Sequence, residues 1–79
     1  MMNFIGSKTF YREGDRWVDA EYDGKTKLTA LKLFSQEYND FVANNVAAAR
    51  YLAQGDRVVL CWNGRVYETV GEPEKPTAP

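Results

Sequence analysis

The sequence predicts an α+β domain of element order β-β-β-α-β-β, built as a five-stranded antiparallel sheet or half-open barrel with one helical segment. Three observations carry this. Asn63-Gly64 separates two runs rich in β-branched and aromatic residues. Glu13-Gly14-Asp15 separates two more, Lys8 to Arg12 and Arg16 to Asp19. Between these hairpins an apolar stripe at helical spacing starts after Ser35 and stops before Gly55.

In the first hairpin, Lys8-Thr9-Phe10-Tyr11-Arg12 and Arg16-Trp17-Val18-Asp19 carry strand-forming residues, and the Gly14 region is turn chemistry. Tyr22-Asp23-Gly24-Lys25 marks a second turn. Thr26 to Phe34 then reads as a longer strand. Its apolar residues shift phase from Leu28 and Ala30 to Leu31 and Leu33, which implies a bulge or burial on both faces. Helix competes for this segment because the alternation is not strict.

Ser35 stands where a helix N-cap belongs, and Glu37 suits the positive end of the helix dipole. Tyr38, Phe41, Val42, Val46, Ala49, Leu52 and Ala53 then share one face of a helical segment at 36–54. Gly55 follows as a left-handed C-cap. One unbroken helix would turn Asn45 inward and Tyr51 outward, so the sequence favours a break at Asn44-Asn45, with Asn45 capping a second short helix. In the last hairpin, Asn-Gly accepts the positive φ angles of a two-residue type I′ loop. That loop sets Trp62 opposite Arg65, Leu60 opposite Tyr67, and Val58 opposite Thr69. Cys61 with Val66 and Val59 with Glu68 fall on the other face.

The folded unit is expected over residues 4–71. The segment 72–79 holds all three prolines and no large apolar residue, and it reads as a tail or linker. A module cut from a longer polypeptide would end this way, as would a native C-terminal tail. No signal-peptide pattern opens the chain. The longest apolar run, Val58 to Trp62, is far too short for a membrane span, so no membrane insertion is expected.

The composition argues against most catalytic chemistry. The 79 residues include no histidine and one cysteine, and ten basic against eleven acidic residues leave a net charge of −1. Cys61 has no histidine to deprotonate it and sits mid-strand beside Leu60 and Trp62, where a small buried hydrophobe is the better reading. No phosphate-binding glycine loop, nucleophile elbow or C-x-x-C is present. Asp19-Ala20-Glu21-Tyr22-Asp23-Gly24 resembles the start of a calcium loop, yet its twelfth position is Ala30, which cannot chelate. A solvated acidic turn is the favoured reading. No enzyme, cofactor or metal is expected.

The aromatic residues allow one rival reading. An OB barrel also runs β-β-β-α-β-β and stacks bases on strand aromatics. Here acidic residues offset Arg16, Arg57 and Arg65, so no positive groove is expected and nucleic acid is not favoured. Trp62 beside Arg65 suggests a surface cation–π pair.

Gly6-Ser7-Lys8-Thr9-Phe10-Tyr11-Arg12-Glu13-Gly14-Asp15-Arg16-Trp17-Val18-Asp19 resembles the G-K-T-F-Y-x-x-x-G-x-W-V-D opening of a small domain in bacterial VIT/von Willebrand factor A-type proteins. The likeness continues through Lys32-Leu33-Phe34-Ser35-Gln36-Glu37-Tyr38, Arg50-Tyr51-Leu52-Ala53-Gln54-Gly55 and Asn63-Gly64-Arg65-Val66-Tyr67-Glu68. It covers residues 6 to about 70. The resemblance implies a C-terminal appendage of a large surface or envelope protein, with no catalytic role. A proline is expected near Val46 and is absent, and the D-x-S-x-S adhesion motif is missing, so no metal site is implied.

The functional expectation is a non-catalytic accessory or protein-interaction module of a larger bacterial protein. The rival is an OB-like binder of single-stranded nucleic acid. The expected interaction surface is Leu60, Trp62, Arg65 and Tyr67 on the last hairpin. One helical segment covers only one face of a five-stranded sheet. The opposite face must therefore close into a barrel, pack on a second copy or the parent protein, or stay exposed as an apolar patch.

Overall fold

The computed structural model describes residues 1–71. In chain order these form strands β1 (Met2–Ile5), β2 (Lys8–Glu13), β3 (Arg16–Asp19) and β4 (Leu28–Lys32). Helix α1 (Gln36–Asn44), a 3-10 turn (Val46–Ala48) and helix α2 (Ala49–Leu52) follow, and then β5 (Val58–Trp62) and β6 (Arg65–Val70). The expected proline-rich segment at 72–79 lies outside the described residues.

The α+β class holds, but the sheet differs from the expected one. It has six strands in the order β1-β2-β3-β5-β6-β4, not five. It is also mixed. β3 runs parallel to β5, with Trp17 opposite Val58 and Val18 opposite Val59, and β4 runs parallel to β6 from Leu28–Val66 to Lys32–Val70. β1 and β4 are the two edges, so the sheet is open and no barrel closes. Although β4 follows β3 in the chain, β5 and β6 lie between them in the sheet, which places β4 at the far edge, away from β3.

The hairpins follow local chemistry. Asn63 and Gly64 take φ 51° and 79°, as the type I′ reading requires, and Trp62–Arg65, Leu60–Tyr67, Cys61–Val66 and Val59–Glu68 face each other as expected. β4 is shorter than the predicted 26–34 and contains neither bulge nor helix. Leu31 enters the main core, Leu28 packs on the opposite face, and Leu33 is buried just past the strand end.

Ser35 caps α1, its Oγ accepting from the Tyr38 amide at 3.2 Å. The helical segment breaks at Asn45, as the polarity of Asn45 and Tyr51 demanded, and Tyr51 is buried. The role of Asn45 is different from the one expected. Its side chain makes no capping bond to the following turn. Instead Nδ2 donates back to the Phe41 carbonyl at 2.9 Å, and Oδ1 accepts from the Trp62 indole at 3.1 Å. It closes α1 and ties it to β5. Gly55 is not a left-handed cap either, since α2 ends at Leu52 and Ala53 stays in the right-handed region. What favours glycine there is proximity: a Cβ would meet Trp17 Cδ1 at 3.2 Å.

Both sheet faces are covered. Helices α1 and α2 lie over Phe10, Trp17, Val58 and Leu60, with Phe41 and Tyr51 contributing from above. On the opposite face Val18, Val59 and Val66 are buried beneath Tyr22 and Leu28. Tyr22 belongs to the β3–β4 connection, so the chain itself supplies the second cover. This outcome stands beside barrel closure, dimerisation and exposure, and it removes the need for any of them over these valines. Farther along, Glu68 accepts from Arg16 at 2.9 Å and Arg57 at 3.4 Å.

Candidate functional site

The expected hairpin surface is mostly turned inward. Leu60 has 0% exposure. Tyr67 packs against Phe41 with ring centroids 4.5 Å apart, and Trp62 is held by Asn45 and lies 6.1 Å from the Tyr51 ring. Arg65 is exposed at the end of the hairpin. The guanidinium groups placed over rings are Arg12 on Trp17 at 5.3 Å and Arg50 on Tyr51 at 5.2 Å, not Arg65 on Trp62. The side that Leu60, Trp62 and Tyr67 share faces the helices because Asn63-Gly64 fixes their register.

A different aromatic residue stands out. Leu33 donates to the Val70 carbonyl at 2.9 Å, and Ser35 donates to the Lys32 carbonyl at 3.0 Å, closing a tight turn between β4 and α1. Phe34 occupies the third position of that turn with φ 63°. Glycine or asparagine normally takes this left-handed position, and a bulky residue there is strained by about 1–2 kcal/mol. Phe34 is 73% exposed, and its ring meets Tyr38 edge-on with centroids 5.6 Å apart. Folding alone gives no reason to keep a phenylalanine there.

Beside the ring lies a cleft of about 310 Å³. Phe34, Tyr38, Leu52, Ala53 and Gly55 line it together with the buried Leu33. Its character is apolar, with Asp56 as its one charged residue. A partner's apolar side chain could be desolvated here against the Phe34 and Tyr38 rings.

A second, polar cleft of about 370 Å³ lies on the other sheet face among Tyr11, Arg16, Val18, Tyr22 and Asp23. Its charges are already engaged. Arg16 is raised above its ordinary value chiefly by its bond to Glu13, and then by Glu68 against the opposing effect of burial. The Asp23 carboxyl is held below its ordinary value by the amides of Thr26 and Lys25. Met2, Phe4 and Tyr11 are exposed near this cleft, on β1 and β2, but none is strained.

The residues that suggested a calcium loop have a structural task. Asp19 is 1% exposed and accepts from Lys8 Nζ at 2.8 Å, from the Cys61 amide at 2.9 Å and from the Glu21 amide at 2.9 Å. Its oxygens are committed to pinning β2 and β5 to β3. Among the described residues, no three His, Cys, Asp or Glu side chains group so as to hold a metal. Burial acts to lower the Lys8 ammonium, but the hydrogen bond and charge of Asp19 outweigh it and hold the group above its ordinary value. Burial, reinforced by the Asp19 charge, pushes the Cys61 thiol up. A thiol so shifted is a poor nucleophile near neutral pH.

Phe34 was missed because the sequence reading treated it as the last residue of a strand. A signal was present. It directly precedes the Ser35 cap, where an apolar residue usually staples onto the fourth helical position. That position is Asn39, which offers no apolar partner. No family model, curated protein or solved structure matches this chain. No helix among the described residues is long and apolar enough to cross a membrane.

Proposed function

We propose that the chain is a non-catalytic protein-interaction module that receives an apolar segment of a partner polypeptide in the Phe34–Tyr38 cleft. The observation that carries this is the Phe34 ring, held 73% exposed on a left-handed backbone at the mouth of an apolar cleft. Strain retained without a packing return points to a role outside folding. An exposed aromatic beside a pocket is a usual form of an interface anchor. The commitment of Asp19, Glu13, Arg16 and Glu68 to one another and to the backbone supports the non-catalytic part. The resemblance of residues 6 to about 70 to the small domain of bacterial VIT/von Willebrand factor A-type proteins supports an accessory role in a larger chain.

Selection from a displayed random-peptide library tests the reading. Peptides with apolar anchors that bind the wild-type protein and lose binding to Phe34→Asn are expected. Recovery of no binder, or of binders indifferent to Phe34→Asn, would overturn it.

A further inference from the structure

Strand β1 is a free edge of the sheet, at the opposite side from the β4–α1 turn, and among the described residues it pairs with β2 alone. Its pairing assigns the direction of every backbone group on it. The Arg12 amide donates to the Met1 carbonyl at 3.0 Å, and the antiparallel register then sets Met2 opposite Tyr11, Asn3 opposite Phe10, Phe4 opposite Thr9 and Ile5 opposite Lys8. Bonded and non-bonded pairs alternate along such a ladder. Met1, Asn3 and Ile5 therefore turn their backbone groups toward β2. The N–H and C=O of Met2 and Phe4 turn the other way, out of the open edge.

The side chains of the same two residues are exposed. Met2 and Phe4 lie on the sheet face of Tyr11 and Val18, opposite the helices. The cover made by Tyr22 and Leu28 reaches Val18, Val59 and Val66, yet Phe4 stays 74% exposed and Met2 54%. Asn3 and Ile5 point to the helix face, where Asn3 Nδ2 donates to Gln54 at 3.1 Å and Ile5 packs on the core. Sheet edges are commonly blunted by lysine, proline or a bulge. The β4 edge has Lys27 just before it and Lys32 at its end. β1 has no charged residue, no proline and an unbroken register.

We propose that β1 is a self-association edge, to which a second copy of the chain adds its own β1 antiparallel, centred on Asn3. Two-fold symmetry about Asn3 sets Met2 opposite Phe4 of the second copy, and Phe4 opposite its Met2. Those are the residues whose N–H and C=O leave the edge, so each pair exchanges both bonds and uses every outward group of Met2 and Phe4. A slip of one residue opposes these groups to Met1, Asn3 or Ile5, whose own are turned toward β2. The centred register also brings both Met2 and both Phe4 side chains together on the uncovered face. Covering them and the backbone between them removes roughly 800 Å² from water over the two copies, below the ~1,200 Å² of a standard interface and in the range of weak, transient pairs. No charge on β1 opposes the approach. Lysines at both remaining β4 edges disfavour further addition, so the assembly closes at two copies.

Sedimentation and amide hydrogen exchange of the full chain, over roughly 10 μM to 1 mM, test this. A monomer giving way to a species of twice its mass is expected. Protection of the Phe4 amide should rise at least about threefold over that range, while the Asn3 and Ile5 amides stay protected throughout. Met2→Pro removes an N–H that β2 does not use, which an edge strand tolerates. Phe4→Lys leaves the backbone intact and puts a charge where the rings would meet. Each variant is expected to weaken association at least about tenfold. A single monomeric species up to the highest concentration would overturn the proposal. So would a dimer that both variants leave unchanged, or one in which Phe4 amide protection does not follow concentration.

Discussion

At the scale of single residues, Phe34 separates what folding needs from what the proposed binding would need. Its left-handed backbone costs about 1–2 kcal/mol, and its ring gains little because most of it faces water. Asparagine tolerates that backbone and gives up the edge contact with Tyr38. Phe34→Asn is therefore expected to leave stability within about 1 kcal/mol of wild type in urea unfolding, strain relief offsetting lost contact. A loss beyond about 2 kcal/mol would make the ring a structural element. The sequence showed what surrounds this residue but not its conformation. Ser35 was legible as a cap because its hydroxyl acts on a neighbouring amide. The φ of Phe34 depends on how β4 meets β6, and no local pattern records that.

At the scale of elements, legibility follows sequence distance. The Asn63-Gly64 register was readable to the individual pair because two residues determine it. The break at Asn45 was readable because a polar side chain interrupts an apolar face. Its bond to the Trp62 indole was not, since that contact spans the helix-to-strand connection. β1 was missed because Met2–Ile5 carries no turn signal before it, and its pairing becomes visible only against β2. Neither parallel pair could be read, because parallel strands need crossovers that turn residues do not announce. Thr69 tests one such junction. Fully buried, its Oγ1 accepts from the Val58 amide at 2.9 Å and donates to Asp56. Thr69→Val keeps the shape but leaves that amide unpaired, so a loss of about 1–3 kcal/mol is expected by urea unfolding. An unchanged midpoint and slope would show that the junction is not held this way.

For the whole molecule, the sheet is shared between two covers: helices on one face, the β3–β4 connection with Tyr22 on the other. The sequence reading saw that one helical segment could not cover both faces but did not assign the second to the chain's own connection. Asp19, Lys8 and Cys61 join β3, β2 and β5, and the titration of Lys8 and Cys61 sets an alkaline limit on stability. The Cys61 thiol is raised above its ordinary value of 9.0, so above that pH the unfolded chain releases a proton that the folded chain retains. Stability then falls as pH rises. Lys8 is raised above 10.5 by Asp19, so its stabilising contribution is complete below 10.5 and is lost as pH climbs through its folded value. Urea midpoints should fall in two stages, and Cys61→Ala should remove the earlier one. A flat profile across the cysteine range would contradict this coupling.

The central claim is that the Phe34–Tyr38 cleft binds polypeptide. Calorimetric titration of one library-selected peptide into wild-type protein and Phe34→Asn, at neutral pH, tests it most directly. The account predicts at least about tenfold weaker binding by the variant, or about 1.4 kcal/mol, with the fold intact. Equal affinity for the two proteins would contradict it.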